Sequence, residues 1–327
     1  MAFQVPTASA PHAAVVRAIN GNHRQSDFTG LSHYDGSEVQ SDGTEVYVSG
    51  SAPTTIATVA TTLNLAKSVL NDHYQRHNAS DGSKTYAHKA ADNSNTIAAS
   101  DMDGAALEAA FFLAAKTLYL AWRTSYAHHI ANKKPDESTG SYHGAVDSTN
   151  ILGSTSSTIS DKYELAIELN NAKSQCNAHV AFTAGGVHGA ADVTNVITSA
   201  NANGDDWDTI KTLVNELKTD LNAHMANTGG SYHTGADGDD TDNTIGAASV
   251  SYPAGLFTLC DAINTSYSAH RVSTTFHEGA DSSNTLAAGT FPTTSVALLI
   301  SNAALIQTKV NAHIRNAPSA SKALRLV

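Results

Sequence analysis

Four stretches of this chain end alike: Leu70-Asn71-Asp72-His73, Cys176-Asn177-Ala178-His179, Leu221-Asn222-Ala223-His224 and Val310-Asn311-Ala312-His313. Tyr126-Ala127-His128 and Ser268-Ala269-His270 are looser copies, and the intervals between these histidines are 55, 51, 45, 46 and 43 residues. A period in this range marks a repeat architecture, in which no single unit buries its apolar face alone and neighbours must stack to make a core. Each interval holds one helix of about five turns and a long return segment.

The return segments share a second motif. His88-Lys89-Ala90-Ala91-Asp92-Asn93-Ser94-Asn95-Thr96-Ile97 has Asp four and Asn seven residues after the histidine, as do His143…Asp147…Asn150, His188…Asp192…Asn195 and His277…Asp281…Asn284. In the remaining copy, His233…Asp237 keeps the Asp while the Asn-Thr-Ile signature slides to Asn243-Thr244-Ile245. His23 and His33, followed by Asp35, read as a diverged N-terminal copy, and the last helix carries His313 without a second motif, so both ends depart from the inner units as caps do. The 16 histidines therefore reflect repetition rather than a polyhistidine tract.

Counting back 3, 7, 10, 14 and 17 residues from His224 gives Leu221, Leu217, Val214, Ile210 and Trp207, one apolar face of a helix. From His313 the count gives Val310, Ile306, Ala303, Leu299 and Val296, and from His73 it gives Leu70, Ala66, Leu63, Val59 and Ile56. Cys176, Ala172, Leu169 and Leu165 precede His179, and Tyr267, Ile263, Cys260 and Leu256 precede His270. Such 3-4 spacing packs helices at shallow angles. The segment 105–126, with Phe111, Phe112, Leu118 and Trp122, is apolar over a wider arc and is expected to be the most enclosed helix. Pro53, Pro253 and Pro292 stand at helix starts, and Asp103 and Asp161 are placed to cap first turns. Extended pieces fit around 44–48 and 247–252, without a large sheet. The expected fold is mainly α: repeated long helices joined by long ordered polar loops, bundle-like or elongated. Its modules run 1–52 (N-terminal partial repeat or capping and assembly region), 53–100, 101–160, 161–203, 204–252, 253–290 and 291–327 (terminal helix and tail).

Several function classes lose support at once. Thirty acidic against 19 basic residues give a net charge of −11, with no basic run, so binding of nucleic acid through its phosphates is not expected. No apolar run reaches the roughly 18 residues that span a bilayer, and the N-terminus has no signal-peptide pattern. Cys176 and Cys260 lie on helix stripes and read as buried free thiols.

The histidines and Asp residues raise the question of metal. A helix-end His, a loop His and a nearby Asp could converge on one ion, and zinc takes imidazole and carboxylate at about 2.0–2.2 Å. Against this, the two histidines of successive units are 10, 15, 15, 9, 9 and 7 residues apart, which argues against a common ligand geometry. The alternative is that helix-end imidazoles cap last-turn carbonyls and pack on the stripe, while Asp binds its own turn or a neighbouring imidazole and Asn closes the loop. On this reading no catalytic, cofactor-binding or metal-binding residue is assigned, and metal is not needed for the fold. The acidic stretch 237–243 lacks the EF-hand order and reads as a solvated loop. Phosphate loops, zinc-binding cysteine pairs, His-Glu-x-x-His and Gly-x-Ser-x-Gly are absent. Polar groups spread over several modules favour construction over catalysis.

Through the Asn-Ala-His helix ends and the His-x-x-x-Asp-x-x-Asn-Thr-Ile/Leu motifs, residues 53–315 resemble repeat-containing structural proteins of tailed bacteriophage virions. The resemblance implies a non-enzymatic subunit located in the virion, as capsid decoration or a head–tail or tail accessory. Its partners would be other virion proteins and copies of itself, with no specific nucleic acid and no membrane insertion. A non-viral surface or adhesion repeat and a metal-stabilised His/Asp repeat are the alternatives.

Overall fold

A computed structural model describes residues 47–75, 91–153, 159–227, 232–252, 254–277, 280–286, 291, 293 and 295–314. These residues form six α-helices: α1 (Ile56–Gln75), α2 (Gly104–Ile130), α3 (Lys162–Val180), α4 (Trp207–Met225), α5 (Ala254–Val272) and α6 (Val296–Ile314). A single 3₁₀ turn, Ala184–Gly186, follows α3, and the described residues contain no strand. Of the extended pieces expected at 44–48 and 247–252, residues 44–46 lie outside the described residues, and 47–48 and 247–252 are irregular return chain, in which Val48 and Val250 pair with helix side chains rather than with another strand.

The stripes are the core. All five stripe residues of α1, α4 and α6, and the four each of α3 and α5, are buried; each large one stabilises by roughly 1.5–3 kcal/mol. Both cysteines are buried free thiols. Asp103 caps α2 by accepting from Ala106 N at 3.0 Å, and Asp161 caps α3 by accepting from Tyr163 and Glu164 N at 2.9 Å. Pro53 precedes α1, while Pro253 and Pro292 lie outside the described residues. The expectation for α2 needs correction. Leu113 and Leu120 are 62% and 41% exposed, so this helix has one buried face, Phe111, Ala115, Leu118, Tyr119 and Trp122, and is not enclosed all round. By length and composition α2 alone among the described helices could cross a membrane. Its Lys116 and Arg123, however, bind the carbonyls of Ile159 and Gly153 in its own return segment.

The helices gather into two compact units, one containing α1, α5 and α6 and the other α2, α3 and α4, so the second unit is inserted in sequence between α1 and α5. In the second unit the three helices pack on one another; Trp122 Nε1 donates to Leu217 O at 2.9 Å, and Phe111 meets Trp207 edge-on at 4.8 Å. In the first unit the Tyr74 and Ser266 hydroxyls are 2.9 Å apart, and the Tyr267 hydroxyl reaches Lys309 O at 3.0 Å.

Side-chain amides hold each return segment along its own helix. Asn177 donates to Ile197 O and accepts from Ile197 N, both at 2.9 Å. Asn71 does the same with Ile97, Asn222 with Ile245, and Asn311 with Val48. Seven residues earlier, two turns back on the same face, Asn64, Asn170 and Asn215 clamp Met102, Ala202 and Val250 in the same way. Between each pair a lysine, Lys67, Lys173 or Lys218, donates to a further carbonyl of the segment. The backbone groups of an irregular chain are thereby satisfied without a sheet. The α6 clamp joins residues 263 apart, so Val48 stands to the last helix as Ile97, Ile197 and Ile245 stand to theirs.

Replacing a clamp tests this account. Asn177→Ala removes two hydrogen bonds and strands a backbone N–H and C=O, so a loss of about 2–3 kcal/mol is expected in urea melts followed by circular dichroism. Asn177→Asp, which keeps the acceptor and loses the donor, should fall between.

Candidate metal centre

Each helix delivers its final histidine to the axis of its unit. In the second unit His129, His179 and His224 occupy the last turns of α2, α3 and α4, fully buried. Their ring centroids form a nearly equilateral triangle with sides of 5.1, 5.3 and 5.4 Å. The return segments bring a second triangle against it, His143, His188 and His233, with sides of 4.7, 5.2 and 5.9 Å.

The two layers are staggered. Each loop ring packs against the helix ring of its own module, His143 on His129 at 4.4 Å, His188 on His179 at 4.7 Å and His233 on His224 at 4.9 Å. Each also packs against one further helix ring, on His179 at 5.1 Å, His224 at 5.0 Å and His129 at 5.3 Å respectively. The three remaining pairings, His129 with His188, His179 with His233 and His224 with His143, lie opposite one another.

Carboxylates fix the helix rings from behind. His179 Nδ1 is 2.7 Å from Asp147 Oδ2, His224 Nδ1 is 3.0 Å from Asp192 Oδ2 and His129 Nδ1 is 2.7 Å from Asp240 Oδ2. Each Asp belongs to the return segment of another helix, so the links run from the α2 segment to α3, from the α3 segment to α4 and from the α4 segment back to α2. The other carboxylate oxygen builds the local turn: Asp192 Oδ1 accepts from Thr194 N and Asn195 N, while Asn195 Nδ2 donates to Oδ2 at 2.7 Å. The same Asp donates its backbone N–H to Val180 O, the carbonyl just past the helix-end histidine, as Asp147 does to Ile130 O and Asp240 to Met225 O. One residue thus closes a helix end, shapes a turn and orients a neighbour's imidazole.

The electrostatics disfavour protonation of His129, His143, His179, His188 and His233. Burial pushes His179 down to about 4 and His188 and His233 down to about 3, with neighbouring rings adding to the fall. His129 and His143 are held well below the ordinary histidine range by the same causes. Burial opposes ionisation of Asp147 and Asp192, but the hydrogen bonds from His179 and His224 and from Asn150 and Asn195 outweigh it and hold both low. Burial pushes Asp240 up to about 6, still ionised at neutral pH. A neutral imidazole facing a carboxylate through Nδ1 carries its proton there, leaving a lone pair on Nε2. His188 reaches the same state through Phe182 O, 2.9 Å from its Nδ1, because a carbonyl can only accept. The Nε2 atoms of all six histidines are buried without a hydrogen-bond partner. Burying such a group unpaired costs about 1–3 kcal/mol, and several lone pairs aimed at one point repel one another unless a cation sits between them.

The loop histidines are held as firmly. Asn132 accepts from His143 N at 2.8 Å, His188 and His233 form an antiparallel backbone bridge, and Gly235 N donates to Tyr142 O at 3.0 Å. A Cβ at Gly235 would lie 2.1 Å from Ser141 O, so only glycine allows this crossing.

The first unit repeats the plan. His73, His270 and His313 end α1, α5 and α6 with centroids 5.1, 5.3 and 5.6 Å apart, and His277 packs on His270 at 4.4 Å and on His313 at 5.2 Å. His270 Nδ1 is 2.7 Å from Asp92 and His313 Nδ1 is 2.8 Å from Asp281. His23, His33 and His88 lie outside the described residues.

Five histidines of the second unit (His129, His143, His188, His224, His233) and four of the first (His73, His270, His277, His313) place donor nitrogens within 4.8 Å of one another, close enough to share an ion. The unequal His–His spacings do not prevent a shared ion, because the loops absorb them. The 14 residues from His129 to His143 include a hairpin in which Gly140 N returns to Asn132 O at 2.7 Å, whereas His179 and His188 are 9 apart with no hairpin. The imidazoles do not cap last-turn carbonyls; their nitrogens face carboxylates and one another. Two positions differ from the sequence reading. His129, not His128, enters the cluster, while His128 pairs with the exposed Glu137 at 3.1 Å. Asp240, not Asp237, binds the imidazole, because the three extra residues fall before the turn; Asp237 accepts from Ser141 N. Two signals mark the arrangement in sequence: the Asn-x₂-Lys-x₃-Asn-x-His pattern at 64–73, 170–179 and 215–224, and the constant 32 residues from Asp147, Asp192 and Asp281 to His179, His224 and His313.

Acid should unfold the metal-free protein early. The folded His179, His188, His233 and His277 titrate at about 3–4 against 6.5 in an open chain, so below 6.5 the unfolded state takes up protons that the folded state refuses. Their stabilisation is complete above that value and is lost as pH falls from 6.5 towards 3–4, by about 1.4 kcal/mol per pH unit for each ring. Asp147 and Asp192, held low, add their loss only below about pH 4. Melting temperatures in the presence of a chelator should therefore fall steeply between pH 6.5 and 5, and a flat profile there would contradict the buried neutral state. Compared with known proteins, the chain matches no family model, no curated protein and no solved structure.

Proposed function

We propose that this protein is a non-enzymatic structural subunit whose helical units are fastened from within by bound transition-metal ions. The observation that carries this reading is the ring of Asp–His links in the second unit. It joins all three helices through one buried point and turns every helix-end imidazole towards it. Because a metal there holds three helices and three return segments together, its binding free energy adds directly to that of folding.

A structural role fits the surroundings of the cluster. The imidazoles are enclosed by one another and by the helix ends, whereas a catalytic metal keeps a position open to substrate. The cleft beside α2, lined by Arg123, Tyr126, Ile130, Val146, Asp147 and Ile151, brings one carboxylate, and that is already bound to His179 and Asn150. As the setting we propose a large assembly, with the tailed-phage virion as the first to examine, in a capsid-decorating or head–tail accessory position. Its support is the motif resemblance and the scarcity of charge in the chain, where charged residues are only 15% of the sequence.

Elemental analysis of the purified full chain should find at least one transition-metal ion per molecule. Removing it with a strong chelator should lower the melting temperature by more than ~10 °C, and adding the ion back should restore it. Metal-free protein of unchanged stability, unresponsive to added Fe(II), Co(II), Ni(II) or Zn(II), would reject the metal-fastened reading. Mass spectrometry of washed particles tests the virion setting separately.

A further inference from the structure

We infer that His129, His143, His179, His188, His224 and His233 enclose one divalent ion in a six-coordinate, all-imidazole shell that leaves no position for water and favours Fe(II), Co(II) or Ni(II) over Zn(II). The inference rests on the metal-fastened reading and specifies its chemistry. Two staggered triangles, each ring beside four others and opposite a fifth, have the connectivity of an octahedron.

Distance supports it. Six nitrogens at about 2.1 Å from a central ion would be ~3.0 Å from their neighbours and ~4.2 Å from their opposites. The donor atoms of His129, His143, His188, His224 and His233 already lie within 4.8 Å of one another. Five such donors are more than a tetrahedral ion accepts. His179 completes the shell, its Nδ1 held by Asp147 and its Nε2 buried without a partner.

Ligand type narrows the ion. Calcium and magnesium take oxygen ligands, which the inner shell does not offer. Imidazole suits zinc, copper, iron and nickel; structural zinc is almost always four-coordinate and Cu(II) prefers a tetragonal arrangement. Six imidazoles disposed in two staggered layers therefore match ions that accept an octahedron. The three carboxylates behind the helix rings carry charge opposite to that of the ion, and they raise the basicity of those rings.

The full-length protein is stripped of metal and loaded in turn with Co(II), Ni(II), Zn(II) and, without oxygen, Fe(II). X-ray absorption should give six nitrogen scatterers with imidazole signatures, Co(II) protein should show the weak bands of an octahedral ion, and water protons should find no exchangeable site. Ni(II) should outcompete Zn(II). Asp192→Asn, which keeps the fold's shape but weakens the hold on His224, should reduce affinity by about 10–100-fold. His188→Ala should retain the ion and admit a water molecule, seen as a new relaxation of solvent protons. An intense tetrahedral Co(II) spectrum, a water ligand in the unaltered protein, or preference for Zn(II) would overturn the six-coordinate shell while leaving a metal-fastened protein. No uptake of any of the four ions would overturn both.

Discussion

The hydrogen bond between a return-segment Asp and the helix-end His of another module is the interaction on which each unit depends. It is short, 2.7–3.0 Å in five places, and both partners are almost wholly removed from water. A carboxylate cannot be buried there unless donors surround it, and the Asx turn, the Asn amide and the imidazole supply them. Because the imidazole comes from another helix, satisfying the carboxylate also sets the angular position of that helix. Three such links close a cycle in the second unit, through Asp147, Asp192 and Asp240. The apolar stripes determine that three helices associate; the links determine their rotation and axial register.

The cost of this arrangement lies on the other side of each ring. An imidazole whose Nδ1 proton is committed outward presents a bare lone pair inward, as His129, His179, His188 and His224 do in the second unit, and His143 and His233 add two more rings whose Nε2 atoms are buried without a partner. Apolar packing of similar volume would avoid that penalty, which is why buried polar groups are poor evidence for stability on their own. Leu, Ile and aromatic side chains along the remaining turns supply the compensating burial, and Trp122, Tyr119 and Tyr126 extend it in α2 directly below His129. The geometry is therefore one in which a stable hydrophobic bundle holds a polar knot that it would not need merely to fold.

Much of this was legible in the residues. The stripes, the Asp caps, the free thiols and the Asx turns all rest on local periodicity or on side chains that bind within four residues, and those properties can be read along one line of sequence. The convergence rests on partners 32, 111 and 178 residues apart, and no local rule reaches that far. The α2 register carries a signal for the inward histidine. Counting back 3, 7, 10 and 14 from His129 gives Tyr126, Trp122, Tyr119 and Ala115, all buried, whereas the same count from His128 gives Ser125, Ala121, Leu118 and Ala114. The apolar stripe thus identifies the inward histidine of a His-His pair. Loop length misleads for a physical reason: a hairpin such as the one closed by Gly140 N and Asn132 O adds residues without moving the ends of the segment.

Variation among the modules follows from the same division of labour. The residues that must agree are those that close the cycle, so Asp, Asn and the two histidines recur while the chain between them does not. Clamps tolerate exchange where another side chain does equivalent work: Asp261 takes the Asn place on α5, accepting from Thr293 N at 3.1 Å, and Arg123 and Lys116 reach return-segment carbonyls from α2. A three-fold arrangement built from one chain, rather than from three identical subunits, lets every segment change its length and surface independently as long as its Asp and His arrive at the axis. The exposed parts of the return segments, including the apolar Val146, Ile151 and Val193, are consequently free to differ between modules while the interior stays the same. That separation of a fixed interior from a variable exterior suits a protein whose contacts with its surroundings are made by its loops and whose rigidity is supplied from its axis.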